Sequence, residues 1–239
     1  GLDTEKARKL APLWIKYREE GFGNELSRNI PVVRTIPIDT SLNNASEILP
    51  FDQLREKLKT VSYFAVAKCP CRQMMAYEGK GCHHGLENCL HFGDMGRYVV
   101  EQGMGREISK EETLKILEEA DMDGLVHSCE NVDGLLSMIC NCCGCCCVFL
   151  QTQKKLNLNV ISSSNYVSSV DHELCIGCGM CESRCPVAAI AVSEDEKSLV
   201  NPAACIGCGV CAPTCPTNAV GLIRRKTVTP PPDVGEFLT

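Results

Sequence analysis

At 239 residues the chain has room for one large or two small domains, and 44% hydrophobic content is ordinary for a globular protein. The net charge of -6, with no basic stripe, argues against nucleic acid, whose phosphates call for clustered Lys and Arg. No run reaches the roughly 18–20 apolar residues of a membrane helix. The 19 cysteines stand in short metal-type spacings instead of being scattered as in a secreted disulfide scaffold. With no basic-then-apolar leader at the start, a reducing cytoplasm is the expected location. The chain opens on Gly1 instead of Met, consistent with processing or with a longer protein.

Residues 4 to 20 place Ala7, Leu10, Ala11, Trp14 and Tyr17 at helical spacing, with Thr4 as cap and Gly21 and Gly23 as terminators. The expected role of this stripe is packing against the rest of the chain. Val32 to Ile38 alternates weakly, and Asp39 to Ser46 has loop composition. A second helix is expected from Pro50, with Leu54, Leu58 and Val61 on its apolar side. The β-prone run Val61 to Ala67 then leads into Cys69. Ser109-Lys-Glu-Glu112 is a capping box that opens a helix through Leu114, Leu117 and Ala120. Short apolar runs at Gly124–His127 and Leu135–Ile139 flank a turn-rich segment, the second leading into Cys140. Val148 to Leu156 reads as helix, the serine-rich stretch Ser162 to Ser169 as linker, and the tail from Thr227 with Pro230-Pro-Pro232 as extended.

Two copies of one pattern stand thirty residues apart: Cys175-Ile-Gly-Cys178-Gly-Met-Cys181-Glu-Ser-Arg-Cys185-Pro186 and Cys205-Ile-Gly-Cys208-Gly-Val-Cys211-Ala-Pro-Thr-Cys215-Pro216. Such C-x2-C spacing lets three thiolates of one tight loop meet one metal cluster, and Gly177, Gly179, Gly207 and Gly209 permit the turns. Residues 171 to 223 resemble a bacterial-type dicluster ferredoxin. The resemblance implies two [4Fe-4S] clusters with crossed ligation: Cys175, Cys178, Cys181 and Cys215 for the first, Cys205, Cys208, Cys211 and Cys185 for the second.

Upstream lie Cys69, Cys71, Cys82, Cys89, Cys129 and the run Cys140, Cys142, Cys143, Cys145, Cys146 and Cys147, with His83, His84 and His91 interleaved. The C-x-C-x10-C-x6-C set from Cys69 to Cys89 offers four soft ligands in a short span. In another arrangement Cys69 and Cys71 join members of the 140–147 run. Adjacent cysteines point in different directions, so that run cannot all grip one cluster. The expected cofactors are one or two further Fe-S clusters on a subset of these cysteines, or alternatively zinc. Arg72 and Arg97 are candidate donors to cluster sulfur, and His91 and His127 candidate ligands or proton carriers.

The pattern Cys-Pro-Cys-Arg, Cys-Leu-His-Phe-Gly, Gly-Leu-Val-His and Cys-Asn-Cys-Cys-Gly-Cys-Cys-Cys resembles uncharacterised cysteine-rich 4Fe-4S-binding proteins of anaerobes, a family that brings no established reaction. Cys142-Cys143-Gly144 also matches the Cys-Cys-Gly of heterodisulfide-reductase catalytic subunits, without their paired repeat.

The expected fold is α+β: a ferredoxin-like dicluster domain of βαββαβ pseudo-twofold type, C-terminal to a cysteine-rich α/β domain. The expected boundaries are 1–60 for an N-terminal helical and extended segment, 61–160 for the cysteine-rich domain, 161–226 for the dicluster domain and 227–239 for the tail. The expected function is single-electron relay to or from an oxidoreductase partner, such as a flavoprotein or larger complex. The alternatives are a reductase with its chemistry at the upstream cysteines, and a metal-storage or redox-sensing protein. No Gly-rich nucleotide loop is present.

Overall fold

Thr4 opens the first helix by accepting the Ala7 amide at 3.1 Å, and α1 runs over Glu5–Tyr17. This computed structural model describes residues 3–27, 29–42, 52–156 and 158–238. Gly21 and Gly23 do not stop the helical path. A π-helical turn, Arg18–Phe22, carries it into the short α2, Gly23–Leu26, where buried Gly23 packs on Thr152 and Leu156. The face that α1 buries is Ala11 and Ile15, while Leu10 and Tyr17 of the expected stripe stay exposed.

Strand β1, Val33–Ile36, is buried at all four positions, Arg34 included. Asp39–Leu42 then forms a 3-10 turn in which Ser41 Oγ donates to the Gly209 carbonyl at 2.8 Å, so the start of the expected loop is packed. Pro50, the expected start of the second helix, lies outside the described residues. Within them, α3, Leu54–Lys57, buries Leu54, and the following turn buries Leu58.

The cysteine-bearing elements follow in order. Strand β2, Phe64–Lys68, hands the chain to Cys69, and Pro70 opens α4, Pro70–Tyr77, at the position where a missing amide costs nothing. Next come β3 (Glu87–Phe92), α5 (Gly93–Glu101) and β4 (Gly105–Glu107). Ser109 caps α6, Lys110–Met122, by accepting the Glu112 amide at 3.1 Å. Strands β5 (Val126–Glu130) and β6 (Met138–Cys142) precede α7, Val148–Leu156, whose bounds coincide with the expected helix. With β7, Ile161–Ser162, they complete a seven-stranded sheet of order β4-β2-β3-β6-β5-β1-β7, antiparallel except for β1 beside β7. The sheet therefore takes strands from both sides of the segment expected at 61–160.

The serine-rich stretch is not a linker. β8, Tyr166–Val170, pairs with β11, Val220–Arg224, and Ser164, Asn165 and Ser168 are buried because their side chains have internal partners. Between them lie α8 (Met180–Arg184), β9 (Ile190–Val192) and β10 (Ser198–Val200), the last two forming their own hairpin. The tail lies on this chain's own surface. Its Thr229 amide donates to Asn165 Oδ1 and its Pro232 carbonyl accepts the Asp133 amide, before it ends in α9, Val234–Leu238, where an extended path was expected. The molecule is mixed α/β, and no helix among the described residues is long and apolar enough to cross a membrane.

Candidate metal centres

In the C-terminal segment the contacts to sulfur recur at a thirty-residue offset. The Ser198 amide points at Cys175 Sγ and the Ser168 amide at Cys205 Sγ, both at 3.5 Å. The Ser198 hydroxyl meets Cys181 Sγ at 3.2 Å, and the Ser168 hydroxyl meets Cys211 Sγ at 3.4 Å. The Ala189 amide donates to Cys185 Sγ at 3.1 Å and the Ala219 amide to Cys215 Sγ at 3.2 Å. Ala188 and Asn218, each just before those amides, share the same left-handed φ of 54°. The repeat breaks in one place: α8 has no helical counterpart after Cys208, where the chain makes turns.

Gly177 and Gly207 sit at φ +65° and +68°, and a Cβ on either would lie 2.2 Å from a carbonyl oxygen, that of Glu196 or Tyr166. No other residue fits there.

Cys175, Cys178, Cys181 and Cys215 line one small cavity, with Cys178 open to solvent. Cys205, Cys208 and Cys211 are buried in the other half. Burial raises the Cys208 thiol and pushes Cys211 up to about 12, and neighbouring thiolates, Cys185 among them, act in the same direction. Thiols gathered in this way, with amides aimed at the sulfurs, suit a cationic cluster that takes them as thiolates.

Upstream, the run from Cys140 to Cys147 divides between two sites because its backbone changes direction. Cys140 and Cys142, two apart on β6, share one face of the sheet. Residues 144–146 then turn, and Cys147 immediately precedes α7. Cys143, Cys145 and Cys146 face Cys82 instead, and the four Sγ atoms lie within 4.8 Å of one another. Cys82 Sγ is 3.9 Å from Cys143 Sγ, close to the edge of a tetrahedron with metal–sulfur bonds of about 2.3 Å.

Arg72, buried beneath this site, donates from Nε to Cys143 Sγ at 3.3 Å, and its terminal nitrogens bond the Gly85 and Asn141 carbonyls. Burial pushes the Cys143 thiol up, but the Arg72 guanidinium, together with hydrogen bonds from Cys145 and the Cys146 amide, holds it at about 7. Burial drives Cys145 up to about 12.

Cys69, Cys71, Cys89, Cys140, Cys142 and Cys147, together with Cys143 of the four-thiol site, line a cavity of about 400 Å³ whose remaining walls include Met95, Val99, Met104, Met138 and Phe149. Neighbouring thiols perturb one another's ionisation in a series, from Cys69 through Cys71, Cys147, Cys142 and Cys140 to Cys89. The backbone amides of Arg72 and Val148 point at Cys69 and Cys71, and those of Leu150 and Phe149 at Cys147. Hydrogen bonds from Cys142 and Cys71, with those helix-start amides, hold the Cys147 thiol well below its ordinary value. Thus the Cys69, Cys71, Cys82, Cys89 set does not converge. Cys82 turns to the four-thiol site, because α4 and the loop after it carry it away from the strand ends that hold Cys69 and Cys89.

Among the other candidates, His91 Nε2 contacts Cys89 Sγ at 3.4 Å. His127 is buried between Asp121 Oδ1 at 2.6 Å and Asn141 Oδ1 at 2.7 Å, a bridge between α6 and β6. His84 stands 3.8 Å from Asp123, with the His83 ring tilted at 40° against it. Arg97 lies over the Tyr63 ring, away from sulfur, and Cys129 is buried in β5 opposite Arg34. Ser168, of linker composition, and Ser198 carry one signal in the sequence: each stands seven residues before a first cysteine of the duplicated run, Cys175 or Cys205.

The thiol sets and the amides aimed at them fit iron-sulfur cluster binding. Residues 168–224 match the family model described as a 4Fe-4S dicluster domain. No curated protein matches the chain.

Proposed function

We propose that the chain is an electron-transfer iron-sulfur protein whose dicluster segment is wired to the upstream cysteine cavity. One observation carries this reading: Cys142 and Cys147 of that cavity share a continuous buried core with Cys205 and Cys208, and Cys185 packs against it. In this reading the ligands are crossed, Cys175, Cys178, Cys181 and Cys215 for one cluster and Cys205, Cys208, Cys211 and Cys185 for the other. The segment then has the pseudo-twofold ferredoxin-like topology that the thirty-residue recurrence supports. When bound, each cluster accepts and returns one electron. Cys69, Cys71, Cys142 and Cys147 hold a third cluster, since three of these sulfurs receive amides at helix starts. Cys82, Cys143, Cys145 and Cys146 hold a single tetrahedral ion, zinc by ligand chemistry, which ties the 143–146 turn to the loop after α4 that carries Cys82.

The solvent-exposed Cys178, ringed by exposed Leu174, Ile176 and Met180, is the side for a redox partner protein. The upstream cysteine pattern supports kinship with cysteine-rich proteins of anaerobes. Anaerobic purification with iron, sulfide and zinc analysis and EPR tests the reading. The expected result is more iron and sulfide than two cubanes account for, with one zinc per chain. Iron for two cubanes only would overturn the third cluster.

A further inference from the structure

Seven cysteines line the apolar cavity; the Cys143 sulfur belongs to the four-thiol site, which leaves six, two more than a cubane takes. The surplus pair is defined by position: Cys89 on β3 and Cys140 on β6 are direct cross-strand partners. Opposed residues of an antiparallel ladder hold their Cα atoms about 4.5–5.5 Å apart, inside the roughly 4.4–6.8 Å that a disulfide spans. Their side chains leave the same face of the sheet and both line the cavity. Both are free thiols in this structure. Beside them, His91 Nε2 reaches Cys89 Sγ at 3.4 Å, while its Nδ1 is shut off from solvent with no partner among the described residues. Met95, Val99, Met104 and Met138 form an apolar wall around the pair.

We propose that Cys89 and Cys140 are a redox-active dithiol that reduces a small, apolar-bodied disulfide bound in this cavity. Cys89 gives its proton to His91 and its sulfur attacks one sulfur of the substrate, releasing the first product as a thiolate that takes up a proton. Cys140 then attacks the mixed disulfide, releasing the second product thiol and leaving a Cys89–Cys140 disulfide. Two electrons from a low-potential one-electron donor, with two protons from His91 and solvent, restore the dithiol. The proposal rests on the electron-transfer reading for its donor and on the assignment of the third cluster to the other four thiols.

The test uses the full, metal-loaded chain under anaerobic conditions. After equilibration in oxidised or reduced dithiothreitol, N-ethylmaleimide labelling and peptide mapping should show Cys89 and Cys140 gaining or losing label together. A linked peptide should appear on oxidation, with iron, sulfide and zinc unchanged. Cys89→Ser and Cys140→Ser should each keep wild-type metal content, lose the linked peptide, and slow the reduction of 4,4′-dithiodipyridine by dithionite-reduced protein at least tenfold. Loss of a cluster's share of iron in either variant would make the pair ligands and overturn the proposal, as would independent labelling of the two thiols. A wild-type protein with iron for two cubanes only would instead count against the third cluster, leaving the labelling result to judge the pair.

Discussion

Gly144 and Pro186 meet backbone to backbone: a Cβ on Gly144 would lie 3.1 Å from both the Cα and the carbonyl oxygen of Pro186. The turn that carries Cys143, Cys145 and Cys146 is thus seated on the turn that follows Cys185, and Cys143, Cys145 and Cys185 line one cleft. Extra atoms at such a contact force one side to move, at about 1–3 kcal/mol. Gly144→Val should therefore lower the denaturant midpoint of the loaded protein clearly and Gly144→Ala slightly. An unchanged midpoint for the valine variant would show that the two turns separate freely.

Arg72 couples the cysteine turn to the sheet. Arg72→Gln removes the charge that offsets burial at Cys143, so its thiol rises from about 7 and metal must displace a more tightly held proton. Zinc affinity near neutral pH should fall, with the gap from wild type narrowing as pH increases. The buried Asn141 carbonyl also loses its donor, at roughly 1–3 kcal/mol. Competition with a chromogenic chelator across pH would measure the first effect; a constant gap at all pH values would contradict it.

Gly177→Ala and Gly207→Ala each demand a left-handed backbone from alanine as well as a Cβ 2.2 Å from a carbonyl oxygen. The cost should exceed about 1 kcal/mol, and the adjacent ligand loop should shift. Iron analysis should show a loss from one half of the dicluster segment in each variant, with the far half retaining its signal in EPR. Full loading of both halves would be the contrary result.

Arg34 and Asp52, each almost wholly buried, form an ion pair at 3.7 Å, with Asn165 donating to Asp52 at 2.9 Å. Arg34→Met alone should cost about 3–5 kcal/mol, because it strands a buried carboxylate, and Arg34→Met with Asp52→Leu should recover most of that loss. Burial raises the Asp52 carboxyl above its ordinary value, against the pull of Asn165 and Arg34. A raised folded-state value gives stability that is fully present below the unfolded pKa and is lost as pH rises through the folded one. Asp52→Asn should remove that slope from denaturation curves measured across the acid range.

Local chemistry was readable from the chain. Ser109 caps α6 as expected, although the Glu112 carboxylate of the expected capping box pairs with Arg106, and Val148–Leu156 is the helix its spacing called for. Non-local satisfaction was not. Ser164, Asn165 and Ser168 have loop composition, yet Gly207, Asp52 and Cys211 supply partners from far along the chain, so they are buried where a linker was expected. Arg34 lies in a strand because Asp52, Asn131 and Thr229 surround its guanidinium. No pattern local to Val33–Ile36 announces those partners.

The duplicated run of eight cysteines and its glycines determined the dicluster segment from sequence alone, because a tight ligand loop is set by spacing over a dozen residues. The tertiary structure decided the grouping of the other thiols. Alternation along β6 and the turn after it send Cys142 and Cys143, adjacent in sequence, to different sites. The β3–β6 register brings Cys89 to Cys140, because pairing between distant strands depends on the whole sheet and not on either segment.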